Sequence, residues 1–122
     1  MEFADCPCSG KTLARLVQPA IMTVLADAPI HGYLISQRVA ELKMFDSAPP
    51  DPTGIYRVLK SMELRGLVAS TWDLSNSGPA RRQYELTDAG RSCLSQWVCT
   101  LRSYQAAIHE LLKATQLASG EN

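Results

Sequence analysis

This sequence carries no net charge, few aromatic residues and no long apolar run. Twelve Lys and Arg balance twelve Asp and Glu over 122 residues, so bulk charge cannot hold the chain to nucleic acid. Only a local basic face could do so. No apolar stretch approaches the roughly 20 residues of a membrane-spanning helix, so no membrane partner is expected. The opening MEFADCPCSG is acidic and lacks an apolar stretch, so no secretory signal is expected and a cytoplasmic location is. The two histidines, His31 and His109, stand far apart. No Ser-His-Asp set, paired carboxylates or Gly-rich nucleotide loop accompanies them, so neither an enzyme nor a cofactor is expected. Ser9-Gly10-Lys11-Thr12 looks like the end of a phosphate-binding loop, but the first glycine of that motif would fall at Asp5, and no strand precedes it. His31, between Ile30 and Gly32, reads as a packing and capping residue.

What is present is ordinary globular composition, with 46% hydrophobic and 20% charged residues. A chain of this length has room for one core. Four cysteines, Cys6, Cys8, Cys93 and Cys99, invite a disulfide reading that a reducing compartment disfavours. The one-residue spacing of Cys6-Pro7-Cys8 is tighter than zinc or thioredoxin-like sites use. Two readings stand: loosely packed thiols near a terminus, or a thiol or metal switch in which Cys6 and Cys8 meet Cys93.

Along the chain, Leu13, Leu16, Val17, Ala20, Ile21, Val24 and Leu25 form one helical stripe. Pro19 interrupts it, so the helix either kinks there or restarts with Pro19 in its first turn. A short helical face follows at Ile35, Val39 and Leu42, with Ile30 placed to staple its start to Ile35. The proline-rich MFDSAPPDP then forms a loop. The third helix has Asp51 as cap, Pro52 at its first position and Gly66 at its close. Ile55, Val58, Leu59 and Met62 form its buried stripe, while Thr53, Tyr56, Arg57 and Lys60 lie on the other side. LVASTWD and residues 81–86 read as a hairpin around a turn at Asn76-Ser77-Gly78-Pro79, with Tyr84 and Leu86 on one face. Thr87 caps a last helix of roughly 25 to 30 residues. Its Leu94, Trp97, Leu101, Tyr104, Ile108 and Leu111 alternate steps of three and four, an a/d seam that Val98 and Leu112 widen.

The expected fold is mainly α with a small β-hairpin: a winged helix-turn-helix followed by a long C-terminal dimerisation helix. Its parts are a tail at 1–12, a DNA-binding unit at 13–87, the dimerisation helix at 88–117 and a frayed end at 118–122. "HGY" at 31–33, "GIYRVLKSMELRGLV" at 54–68, "RRQYELTDAG" at 81–90 and the long last helix resemble the PadR family of transcriptional regulators. The resemblance covers residues 13–112. Arg57 stands where many relatives have proline, and Cys-Pro-Cys lies outside the family pattern. A transcriptional repressor, dimeric and released by a small ligand, is what the resemblance implies.

Charge placement supports this independently. Between Gly54 and Arg82 five basic residues, Arg57, Lys60, Arg65, Arg81 and Arg82, face two acids, Glu63 and Asp73. Thr53, Tyr56, Arg57 and Lys60 are candidates for a major groove of double-stranded DNA, and Arg81 and Arg82 for a backbone or minor-groove contact. The seam from Leu94 to Leu111 would be an exposed apolar patch in a monomer, so a homodimer is expected. Trp97 on that helix is a stacking surface for a small aromatic effector. The competing reading is a winged-helix protein-interaction module without DNA binding.

Overall fold

In this computed structural model the described residues are 5–74 and 78–121. They form, in order, α1 (Val17–Leu25), β1 (Ile30–His31), α2 (Gly32–Ala40), α3 (Pro52–Leu64), β2 (Val68–Asp73), β3 (Arg81–Leu86) and α4 (Asp88–Ser119). Pro19 marks a restart, not a kink. Lys11–Leu16 is a tight 3-10 turn, and α1 begins at Val17. Pro19 thus sits in the first turn, where amides have no intrahelical partner and its missing one costs nothing. Val17, Pro19, Ala20, Ile21, Met22 and Leu25 are buried, whereas Leu13 stays exposed.

The expected hairpin is a three-stranded antiparallel sheet in the order β1-β3-β2. Ile30 and His31 pair with Tyr84 and Gln83. Two residues are too few to show strand alternation in a sequence, so β1 escaped the pattern. His31 holds the position before α2 but makes no side-chain capping bond; its ring reaches Asp73 instead. The register of β2 on β3 runs from Val68 opposite Leu86 to Asp73 opposite Arg81. Residue alternation therefore puts Val68, Ser70 and Trp72 on one face with Leu86, Tyr84 and Arg82. Part of the expected turn, Asn76 and Ser77, lies outside the described residues.

α3 begins at Pro52 as expected, but the Asp51 side chain makes no capping bond. Its backbone carbonyl accepts the Ile55 amide at 3.1 Å. The helix closes with Gly66 at φ 77, the Gly66 amide donating to Glu63 and the Leu67 amide to Met62. That left-handed residue is why glycine stands there. Ile55, Leu59 and Met62 are fully buried and Val58 half-buried. They meet Ile21, Met22, Leu25, Ile35, Val39 and Phe45 in a single core. Phe45 comes from the loop before α3, a core residue that periodicity could not reveal.

Thr87 ties the two halves of the molecule together. Its amide donates to the Leu67 carbonyl at 3.1 Å, its hydroxyl to the Gly66 carbonyl at 2.6 Å, and its Oγ1 accepts the Gly90 amide at 3.0 Å. α4 then runs 32 residues, about 48 Å, and Gly120 at φ 82 closes it beyond the expected end at 117. Among the described residues no helix is long and apolar enough to cross a membrane.

Gly90 is buried in the first turn of α4, and a Cβ there would fall on the Leu67 carbonyl oxygen. Backbone cannot yield as a flexible side chain would. Gly90→Ala should therefore destabilise the fold by about 1–3 kcal/mol, as overpacking does. Urea unfolding should show a lower midpoint at unchanged slope; an unshifted midpoint would mean that α4 can slide away from β2.

Candidate nucleic-acid interface

The outward face of α3 carries the expected group. Thr53, Tyr56, Arg57 and Lys60 are all exposed, opposite Ile55 and Leu59. Tyr56 is also engaged at home: a Cβ on Gly32 would lie 2.7 Å from its ring. Glycine at position 32 thus lets the α3 tyrosine lie against the start of α2.

The wing reaches the same place. A groove of about 220 Å³ is lined by Gly32, Tyr33, Tyr56, Arg81, Arg82 and Tyr84, and a neighbouring one of about 540 Å³ runs over Tyr33, Leu34, Gln37 and Arg81. The N-terminus of α2, the first half of α3 and the returning wing strand therefore converge. Tyr33 was not picked out from sequence, yet it is among the most exposed aromatic residues and accepts a hydrogen bond from Gln37 Nε2 at 3.1 Å. An aromatic at the start of a short helix has no sequence signal that separates surface from core. Burial pushes the Tyr84 phenol above the ordinary tyrosine range, while the Arg82 charge pulls against that shift.

The two wing arginines differ. Arg81 is exposed at the rim. Arg82 is exposed as well, but its side chain lies along the sheet: its Nε donates to Ser70 Oγ at 3.0 Å, and its guanidinium lies 5.4 Å from the centroid of the exposed Trp72 ring. Ser70 in turn donates to the Glu63 carboxylate of α3. On β2, Asp73 Oδ2 lies 2.8 Å from His31 Nε2. Glu63 and Asp73 are thus both held by neighbouring side chains.

Thiols and apolar surface lie elsewhere. Cys6, Cys8 and Cys99 are exposed, and Cys93 is partly buried, accepting from Gln18 Nε2 at 3.8 Å. Among the described residues no three His, Cys, Asp or Glu side chains are grouped to hold a metal ion, so the alternative in which Cys6, Cys8 and Cys93 meet at a metal is not formed there. The α4 seam divides in two. Leu94 and Trp97 pack against the core of their own chain, whereas exposure rises from 38% at Leu101 through 49% at Tyr104 to 64% at Ile108 and 66% at Leu111. Beside it, Thr12, Leu13, Arg15, Leu16, Trp97, Tyr104 and Ile108 line a groove of about 400 Å³.

Comparison with known proteins agrees with this geometry. The model of the transcriptional regulator PadR-like family matches residues 21–96. A PadR family transcription regulator from Clostridium difficile is 26% identical, over 80% of this chain and 98% of its own, with a TM-score of 0.68. A PadR-like transcriptional regulator from Bacillus cereus shares the fold at 22% identity, covering 84% and 96%, with a TM-score of 0.70. Bacillus subtilis PadR, whose structure is a complex with operator DNA, shares the fold at 24% identity, covering 69% and 46%, with a TM-score of 0.60. No curated protein matches the chain.

If Arg82 braces the wing through Trp72, the two side chains should be energetically coupled. A double-mutant cycle of Trp72→Ala and Arg82→Ala in urea unfolding should return about 0.5–1 kcal/mol, the range of an exposed cation–π pair. Additive single effects would leave Arg82 as an independent surface charge.

Proposed function

The chain belongs to the PadR-like family of transcriptional regulators, and from that premise we propose that it is a repressor that binds a palindromic operator as a homodimer. The observation that carries this reading is the convergence of Tyr56 of α3, Tyr33 of α2 and Arg81 and Arg82 of the wing around one groove, with Arg57 and Lys60 exposed on the same α3 helix. α3 supplies side chains for base edges in a major groove, and Arg81 a charge for the adjoining phosphates. Arg82, exposed in the same groove, supplies a second wing charge while bonding Ser70 across the sheet. The fold carries no enzyme chemistry in this reading.

Binding should be read by gel shift on a selected operator over a range of salt. Arg57→Ala and Lys60→Ala should each weaken operator binding without unfolding the protein. The cost is about 1–3 kcal/mol with relaxed sequence preference where a base contact is lost, or a salt slope reduced by about one where a phosphate contact is lost. Unchanged operator affinity in both variants would leave a protein-interaction module as the better reading.

The exposed stretch Leu101, Tyr104, Ile108 and Leu111 is the proposed dimer seam. A two-fold axis through it gives each half-site one α3. The groove beside Trp97 opens on the same stretch, and its apolar lining suits a planar aromatic effector that would release the operator. Leu101→Asp with Ile108→Asp should yield monomers by sedimentation, with operator affinity sharply reduced because linkage of the two half-sites is lost. An intact dimer in that double variant would move the interface elsewhere.

A further inference from the structure

Cys6-Pro7-Cys8 lies outside everything that the α3 face, the wing and α4 do. It is also a folded turn, not a loose end. Pro7–Ser9 is one 3-10 turn, with Cys6 extended before it and Gly10 at φ 98 closing it. The Cys8 amide donates to Cys6 Sγ at 3.4 Å, and Ser9 Oγ donates to the Cys6 carbonyl at 2.8 Å. Both are exposed and free.

We propose that Cys6 and Cys8 form a dithiol that reacts with hydroperoxides and closes to a local disulfide. Backbone geometry permits the ring. The Cα separation of residues two apart depends on the angles of the residue between them, and a helical Pro7 sets it at roughly 5.5 Å. Disulfides span about 4.4–6.8 Å. An extended Pro7 would stretch the pair toward the far edge of that range.

The two sulfurs have unequal roles. The Cys8 amide, and then the Cys8 thiol, donate to Cys6 and lower its pKa, whereas donating to Cys6 raises that of Cys8. Cys6 is the nucleophile and Cys8 the resolving thiol, the pairing that peroxide-reactive sites use. The Cys6 thiolate attacks one oxygen of the hydroperoxide; the O–O bond breaks, and the alcohol leaves with a proton. Cys6 becomes a sulfenic acid. Cys8 sulfur then attacks Cys6 sulfur, the S–O bond breaks, and the hydroxide leaves with the Cys8 proton as water. Two thiols and one hydroperoxide thus give one disulfide, one alcohol and one water, a two-electron oxidation. None of this depends on the DNA-binding reading.

The test uses the full reduced chain and one equivalent of tert-butyl hydroperoxide, read by intact mass, alkylation of remaining thiols and peptide mapping. Exposed Cys99 is the internal control. The expected product has lost two alkylatable thiols and about 2 Da, with the disulfide mapped to Cys6 and Cys8. Cys6 should react faster than Cys99, because the Cys8 amide aimed at Cys6 Sγ favours its thiolate. Cys8→Ser should stop at a dimedone-trapped sulfenic acid on Cys6, and Cys6→Ser should slow residue 8 to the rate of Cys99. Equal rates at Cys6 and Cys99, a product dominated by disulfides between chains, or no trapped sulfenic acid in Cys8→Ser would each overturn the proposal.

Discussion

The contact of Thr87 and Gly90 with the backbone at Gly66 and Leu67 is the constraint on which the arrangement rests. Three elements end or begin there: α3 closes at Gly66, β2 leaves from Leu67, and α4 starts one residue after β3. Thr87 satisfies groups that chain reversal would otherwise leave unpaired, binding the Gly66 and Leu67 carbonyls and the Gly90 amide. Buried backbone groups without partners are costly, so these bonds fix the angle at which α4 departs. Arg91, four residues beyond Thr87, then donates to the Ala26 carbonyl at the end of α1 at 3.2 Å. The α3 face, the wing and the long helix are therefore referred to one small junction. Glycine at 90 is what allows the approach.

Electrostatics explains how a neutral chain presents a basic face. Net charge counts Glu63 and Asp73 equally with the arginines, but the fold uses both acids internally. Glu63 accepts from Ser70 beneath the wing, and Asp73 faces His31 from β2. The same contacts hold the sheet to α3 and to the start of α2, so the groups that lower the acidic exposure of the face also stiffen it. Arg82 stays exposed beside Arg81, but it also bonds Ser70 and lies over Trp72, so it bridges β3 to β2 while keeping its charge at the surface.

Much of this was legible in the residues. The stripes at Val17–Leu25 and Ile55–Met62, the Pro52 start, the Gly66 stop and the Thr87 cap all act as their chemistry dictates. So does the 3.6-residue face that turns Arg57 and Lys60 away from Ile55. What escaped has a common cause: contacts between residues far apart in sequence. β1 exists only because Tyr84 and Gln83 come to lie beside Ile30 and His31. Phe45 reaches the core from a loop that has no periodicity. Asp51 and His31 occupy cap positions, but neither side chain makes a capping bond; that of His31 is drawn to Asp73 across the sheet. The wing tip at 75–77 lies outside the described residues.

In the proposed dimer, the division of the α4 seam would tie the α3 face to assembly. Leu94 and Trp97 are used by the chain's own core, so the first three turns of α4 move with α3 and the wing as one packed unit. Only from Leu101 onward is the apolar stripe left for a partner. A dimer formed there has no flexible linker between its seam and its α3 helices, because the Thr87 junction and the core packing of Trp97 intervene. The separation of two α3 helices would then be set by the direction of α4, and a change of a few degrees at the junction is magnified along a helix of about 48 Å. Trp97 stands where the committed half of the seam gives way to the exposed half. On the proposed reading, a ligand seated against it in the groove beside Leu13 and Leu16 would press on α4 where its packed part meets its exposed part.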